Sequence, residues 1–209
     1  MNLGRLSQLL HLAQLGARAW RAPVVVALVL VAAQLLGAPA WETLPYDRAA
    51  ILAGGEYARL VTAHFFHYDL THLAWNLVGL ALVAALFARE FDLRGWIAIL
   101  VASTVAVDLG FLVFEPQLEW YVGFSGALHG LMAAGICAWL WRTPDAITAL
   151  VAGLFAFKLG WEHLVGPLPF TALTLAVPVI HQAHTYGAIG GAAAALWMLW
   201  RQRSAAASL

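Results

Sequence analysis

The stretch GFSGALHGLMAAGICAWLW, residues 123–141, sets a serine at the head of a run without a single Asp, Glu, Lys or Arg. Residues 124–141 form a helix of about the length that a hydrocarbon core of roughly 30 Å requires. Within it, Gly126 and Gly130 lie one turn apart on one face, a small surface onto which another helix can close. Gly123 permits an unusual backbone turn just ahead of Ser125. A reactive side chain therefore stands at the end of an apolar span, beside the means of packing a neighbour tightly against it.

The rest of the chain requires the same solvent. Of 209 residues, 63% are apolar and 11% charged, and the mean hydropathy is +0.80; globular chains carry about 25% charge. So few polar groups cannot cover such a chain in water. The 11 basic residues are balanced by 11 acidic ones, which excludes a nucleic-acid binder, and the lone Cys137 excludes a disulfide scaffold. Further spans are expected near 23–40, 72–89, 95–114, 146–165 and 179–200, making six with 124–141. The expected fold is an all-α membrane bundle of six transmembrane helices over residues 23–200. A cytoplasmic segment, 1–22, precedes it and a short cytoplasmic tail, 201–209, follows.

Arginine placement sets the orientation, because cytoplasmic loops hold an excess of Lys and Arg. With the N-terminus inside, Arg5, Arg18, Arg21, Arg89, Arg94, Arg142, Arg201 and Arg203 are cytoplasmic, and only Arg48 and Arg59 lie outside. Both termini are then cytoplasmic, and residues 41–71 form one long external loop. Residues 3–19 carry Leu3, Leu6, Leu10, Ala13 and Ala17 at helical spacing, as in a helix lying on the inner surface. A cleavable signal ending near Ala38-Pro39-Ala40 is the rival; proline in the cleavage site and the loss of one span count against it.

Polar residues inside spans are costly and mark functional candidates. His72 and Asn76, in HLAWN, share a face of the second span; Ser125 heads the fourth; His184, in AHTYGAIGG, shares a face of the sixth with Gly187 and Gly191. Each alone reads as readily as packing. Because the second, fourth and sixth spans run the same way, all three motifs fall at the outer ends, at one depth. They then supply a nucleophile in Ser125, a general base in His184, and donors in His72 and Asn76 for a developing oxyanion. Unpaired N–H groups at the start of the fourth span add to that hole. With no carboxylate near His184 in sequence, a Ser-His dyad is expected rather than a triad. Lys158 and Glu162, four apart, are expected to pair with each other, and Asp108 lacks an identifiable partner. These buried charges also permit a rival class, a small proton-coupled transporter.

In order and spacing, HxxxN, GxSG and AHxxGxxxG, with RLVTAHFFH at 59–67, resemble the rhomboid family of intramembrane serine proteases over about 145 residues, from near Gly55 to Trp200. The resemblance implies a six-helix rhomboid-like bundle, Ser125 as nucleophile, His184 as base, and His72, Asn76 and the Ser125 N–H as oxyanion hole. Gly123, Gly126, Gly130, Gly187 and Gly191 would support that site. The family's Trp-Arg pair in the first loop is Ala58-Arg59 here, and His129 replaces a frequent tyrosine. SGALHG and TAHFFH are similar to rhombosortases. That bacterial branch implies an inner-membrane enzyme with its site facing the periplasm, cutting the C-terminal transmembrane tail, of Gly-Gly type, from secreted proteins. Transfer to an amine acceptor is a further implied step, and a general rhomboid protease cutting other single-span proteins is the alternative. Lateral substrate entry between the second and fifth helices rests on the same resemblance. No metal or organic cofactor is implied. HExxH, a second intramembrane aspartate and stacked histidine pairs are all missing, which argues against other membrane proteases and a di-haem cytochrome.

Overall fold

The computed structural model describes residues 16, 18–36, 43–169 and 179–207. Its elements in chain order are α1 (Arg21–Gln34), β1 (Tyr46–Asp47), α2 (Arg48–Leu52), α3 (Arg59–Thr62), α4 (Leu70–Phe87), α5 (Leu93–Phe114), β2 (Trp120–Tyr121), α6 (Ser125–Arg142), α7 (Ala146–Leu164) and α8 (Gln182–Ala207). Aspartates start four of the helices. Asp47, Asp69, Asp92 and Asp145 each accept a backbone N–H from the residue three places on, at 2.9, 2.7, 2.8 and 2.8 Å. Such caps contribute about 1 kcal/mol each and fix where the helix begins.

Each expected span overlaps a helix of 14 residues or more. Among the described residues, α4, α5 and α7 are long and apolar enough to cross a membrane, and α1 is apolar but shorter. The expected surface helix at 3–19 and the Ala38-Pro39-Ala40 site fall largely or wholly outside the described residues. The external loop departs from the all-α expectation. It folds into α2 and α3, and its β1 pairs antiparallel with β2, Tyr46 opposite Tyr121 and Asp47 opposite Trp120.

Helix α8 is the central element, packing most extensively on α6 and then on α5, while α4 lies on the other side of α6 and α1 covers α4. Glycines permit the closest of these approaches. A Cβ on Gly187 would fall on the carbonyl oxygen of Gly126, and one on Gly191 on that of Gly130. The helix holding Ser125 and the helix holding His184 are therefore in backbone contact at the level of those two residues. Helix α7 is the most sparsely packed of the long helices, its main contacts among the described residues being with α6 and α8, and it exposes Ile147, Leu150, Leu154 and Phe157.

Candidate active site

His72, Ser125 and His184 each occupy the first turn of a helix, in α4, α6 and α8. Asp69 sets the first of these, because its carboxylate holds the His72 N–H and fixes the register of α4. Asn76 follows one turn later, 4% exposed, with Nδ2 donating to the His72 carbonyl at 3.0 Å. Burial leaves His72 Nδ1 and Asn76 Oδ1 without a partner among the described residues.

The serine turn is held from the external loop. Gly123 N–H donates to the Ala63 carbonyl at 2.9 Å, and Phe124 N–H to His67 Nε2 at 3.4 Å. Gly123 has φ +129, and a Cβ there would sit 2.8 Å from His72 Cε1. Only glycine both adopts this conformation readily and lets the imidazole lie against the turn. Burial, and His72 close by, push the His67 imidazole down to about 3, so it stays a neutral acceptor for the Phe124 N–H. The Tyr121 hydroxyl donates to the Gly123 carbonyl at 2.7 Å and faces Ser125. In this arrangement the Ser125 hydroxyl is turned to Tyr121.

His184 is 4% exposed, and its Nδ1 lies 2.9 Å from Glu162 Oε2. A carboxylate thus lies beside His184, although none stands near it in sequence. Glu162 is distant in sequence but projects from α7 straight at the histidine, and it is itself 2% exposed. Lys158 pairs with Glu162 as its spacing predicts, Nζ to Oε2 at 2.5 Å, yet the pair is not separate from the site: Nζ also lies 3.2 Å from His184 Nδ1. On the other face of His184, the His129 ring stacks at 4.0 Å and 13°. His129 Nδ1 is 2.7 Å from the Ser125 carbonyl, so this side chain both satisfies a helix carbonyl and braces the second histidine.

His129, Glu162 and His184 bring potential ligand atoms within 4.8 Å of one another. They do not fit a metal ion in this arrangement. Nitrogen lone pairs lie in the ring planes, so two near-parallel stacked rings cannot both direct one at the same ion, and the Lys158 ammonium already occupies the carboxylate.

Other buried polar residues organise the loop. Asp108 finds its partner in His64, 3.1 Å from Nε2 to Oδ1. Arg59 is 7% exposed and donates to the Pro45 carbonyl at 3.0 Å and to Glu56 at 2.7 Å. Arg48 caps the end of α5 through the carbonyls of Phe111 and Leu112, at 3.0 and 3.1 Å. Glu162 and Tyr121 are the site residues that sequence reasoning missed. The sole signal for Glu162 was its cost in an apolar span, which its pairing with Lys158 seemed to account for.

Comparison with known proteins agrees with this arrangement. A profile of the rhomboid domain matches residues 54–201. YdcA of Bacillus subtilis (strain 168), named for the rhomboid proteases, is 26% identical over 145 residues, 67% of this chain and 66% of its own length. The rhomboid protease GluP of the same organism is 29% identical over 85 residues, 41% of this chain and 16% of its own. The chain thus spans just under two thirds of the first relative and a small part of the second. With most of its length inside the domain match, and with the HxxxN, GxSG and AHxxGxxxG motifs each at the start of a helix, the chain belongs to the rhomboid family of intramembrane proteases.

Proposed function

We propose that the protein is an intramembrane serine endopeptidase acting on the transmembrane segment of a protein substrate within the lipid bilayer. The observation that carries this reading is the meeting of Ser125, His184 and His72 in the first turns of three packed helices. Ser125 Oγ attacks the scissile carbonyl as His184 Nε2 takes its proton. The resulting oxyanion is held by the Ser125 N–H, the His72 imidazole and the Asn76 amide. Collapse expels the amine, which leaves with the proton from His184. Water then attacks the ester, again with His184 as base, and frees Ser125. No step calls for a metal or an organic cofactor.

Entry between α4 and α7 is supported by the sparse packing of α7, which makes no extensive contact with α4. His129, stacked on His184 where many rhomboids carry tyrosine, favours the rhombosortase branch and a Gly-Gly C-terminal tail as substrate. Cleavage of other single-span proteins is the general alternative.

Labelling with a fluorophosphonate tests the chemistry without a chosen substrate. Wild type should label, and Ser125→Ala and His184→Ala should lose labelling by about a thousandfold or more. Asp108→Asn, which alters the His64 contact and keeps the side chain's size, should still label. Unlabelled wild type beside a labelled control rhomboid, with transport lost in Asp108→Asn, would favour the transporter. For the substrate, mass spectrometry of the C-terminus of a co-expressed Gly-Gly-tailed protein should show a trimmed tail; an intact one points to the general protease.

A further inference from the structure

Buried Glu162 and half-buried Lys158 are the charges that a serine-histidine pair leaves unused, and both converge on one imidazole nitrogen. Glu162 is 2% exposed and Lys158 comes from one turn earlier on the same helix, so the apolar packing holds a neutral ion pair and not a bare carboxylate. The nitrogen they address is Nδ1, and Nδ1 has a single in-plane position for either a proton or an incoming donor. At 2.9 Å the carboxylate is the closer neighbour and accepts only; at 3.2 Å the ammonium competes, but it also has the carboxylate to bond. A proton on Nδ1, donated to Glu162, satisfies all three groups at once. It leaves Nε2 unprotonated, as a base for Ser125 must be.

We propose that Glu162 is a positioning residue for His184, fixing the imidazole as its Nδ1–H tautomer and stabilising the imidazolium formed when Ser125 gives up its proton, with Lys158 bonded to the same carboxylate. The site is then a Ser125–His184–Glu162 triad with a built-in counter-charge, in place of a dyad. This rests on the hydrolase reading above. It also makes the base depend on how α7 is seated, because the orienting carboxylate comes from the least packed helix.

The other groups facing His184 are His129 on α6, His72 on α4 and His181 just before α8. They stay constant in a series that varies only α7: Glu162→Gln, Glu162→Asp, Lys158→Met and the double variant Lys158→Met/Glu162→Gln. Fluorophosphonate labelling rates are measured on each full-length protein against pH, with melting temperature as the check on folding. The ¹⁵N shifts of histidine-labelled protein report the His184 tautomer. Glu162→Gln should label about a thousandfold more slowly near neutral pH, Glu162→Asp within about tenfold of wild type, and the Nδ1–H signature should weaken in Glu162→Gln alone of these two.

The double variant separates positioning from structure. Glu162→Gln leaves a half-buried ammonium without its carboxylate and should melt early. Removing Lys158 as well should restore the melting temperature but not the labelling rate. Recovery of the rate in the double variant, or wild-type labelling in Glu162→Gln, would show a tie that only holds α7 and would overturn the proposal. Failure of the hydrolase reading looks different. There wild type itself takes no label, and the proposal falls with it even if the tautomer still responds to Glu162.

Discussion

At Gly187 the fold and the chemistry depend on the same missing atom. The Gly126 carbonyl occupies the place where a Cβ would stand, and Gly126 follows Ser125 directly while Gly187 lies three residues past His184. Gly187→Ala should therefore drive α8 off α6, at a cost of about 1–3 kcal/mol from overpacking. Melting in detergent should come earlier, and fluorophosphonate labelling should be lost even at temperatures where the protein stays folded, because the separation opens at the catalytic level. Gly153 on α7 is the control. A Cβ there meets nothing within 4 Å, so Gly153→Ala should leave both readouts unchanged. Equal effects of the two substitutions would mean that the α6–α8 contact is not what holds the serine to its base.

At the scale of elements, what could be read from the sequence was whatever follows from helical periodicity. One turn separates His72 from Asn76, and Gly126 from Gly130, so their shared faces are evident before any fold is known. Parity of the spans then brings the three motifs to one depth. Contacts between elements distant in sequence are another matter. Glu162 lies 22 residues before His184, and nothing in a periodic pattern says which neighbour its face meets. Asp108 likewise takes its partner from a loop 44 residues away. The external loop was the least legible part. Part of its order comes from single backbone bonds, Ala63 to Gly123 and Glu119 to Arg48, and from the Tyr46–Tyr121 pairing, none of which leaves a compositional mark. That loop nevertheless positions the serine, since His67 and Ala63 hold the two residues just ahead of it. The Ala58-Arg59 departure from the family pattern leaves the main anchor in place, for Arg59 still reaches the Pro45 carbonyl from a buried position.

At the scale of the molecule, charge is sorted between the two ends of the bundle, which is what decides its direction in a membrane. Arg18, Arg21 and Arg89 line a cavity of about 750 Å³ between the start of α1 and the turn from α4 to α5. Arg142 pairs with Glu90 at 2.7 Å, Arg203 lies over Trp141 and Arg201 over Trp197, so the arginines of four segments gather at one end. Ser125 and His184 occupy the other. The two arginines at that end, Arg48 and Arg59, are spent on backbone carbonyls and on Glu56, and so belong to the packing of the loop. By the positive-inside rule the arginine-rich end is expected in the cytoplasm and the end that carries Ser125 outside. Single cysteines in a Cys137→Ser background test this directly. Tyr57 is 65% exposed in the external loop, and Ser204 is exposed in the last turns of α8. In intact spheroplasts a membrane-impermeant maleimide should modify Tyr57→Cys and spare Ser204→Cys until the cells are lysed. The reverse pattern would put the serine pocket on the cytoplasmic face, where a secreted protein's tail could not reach it after export, and would remove the sorting-tail substrate whatever the chemistry of Ser125.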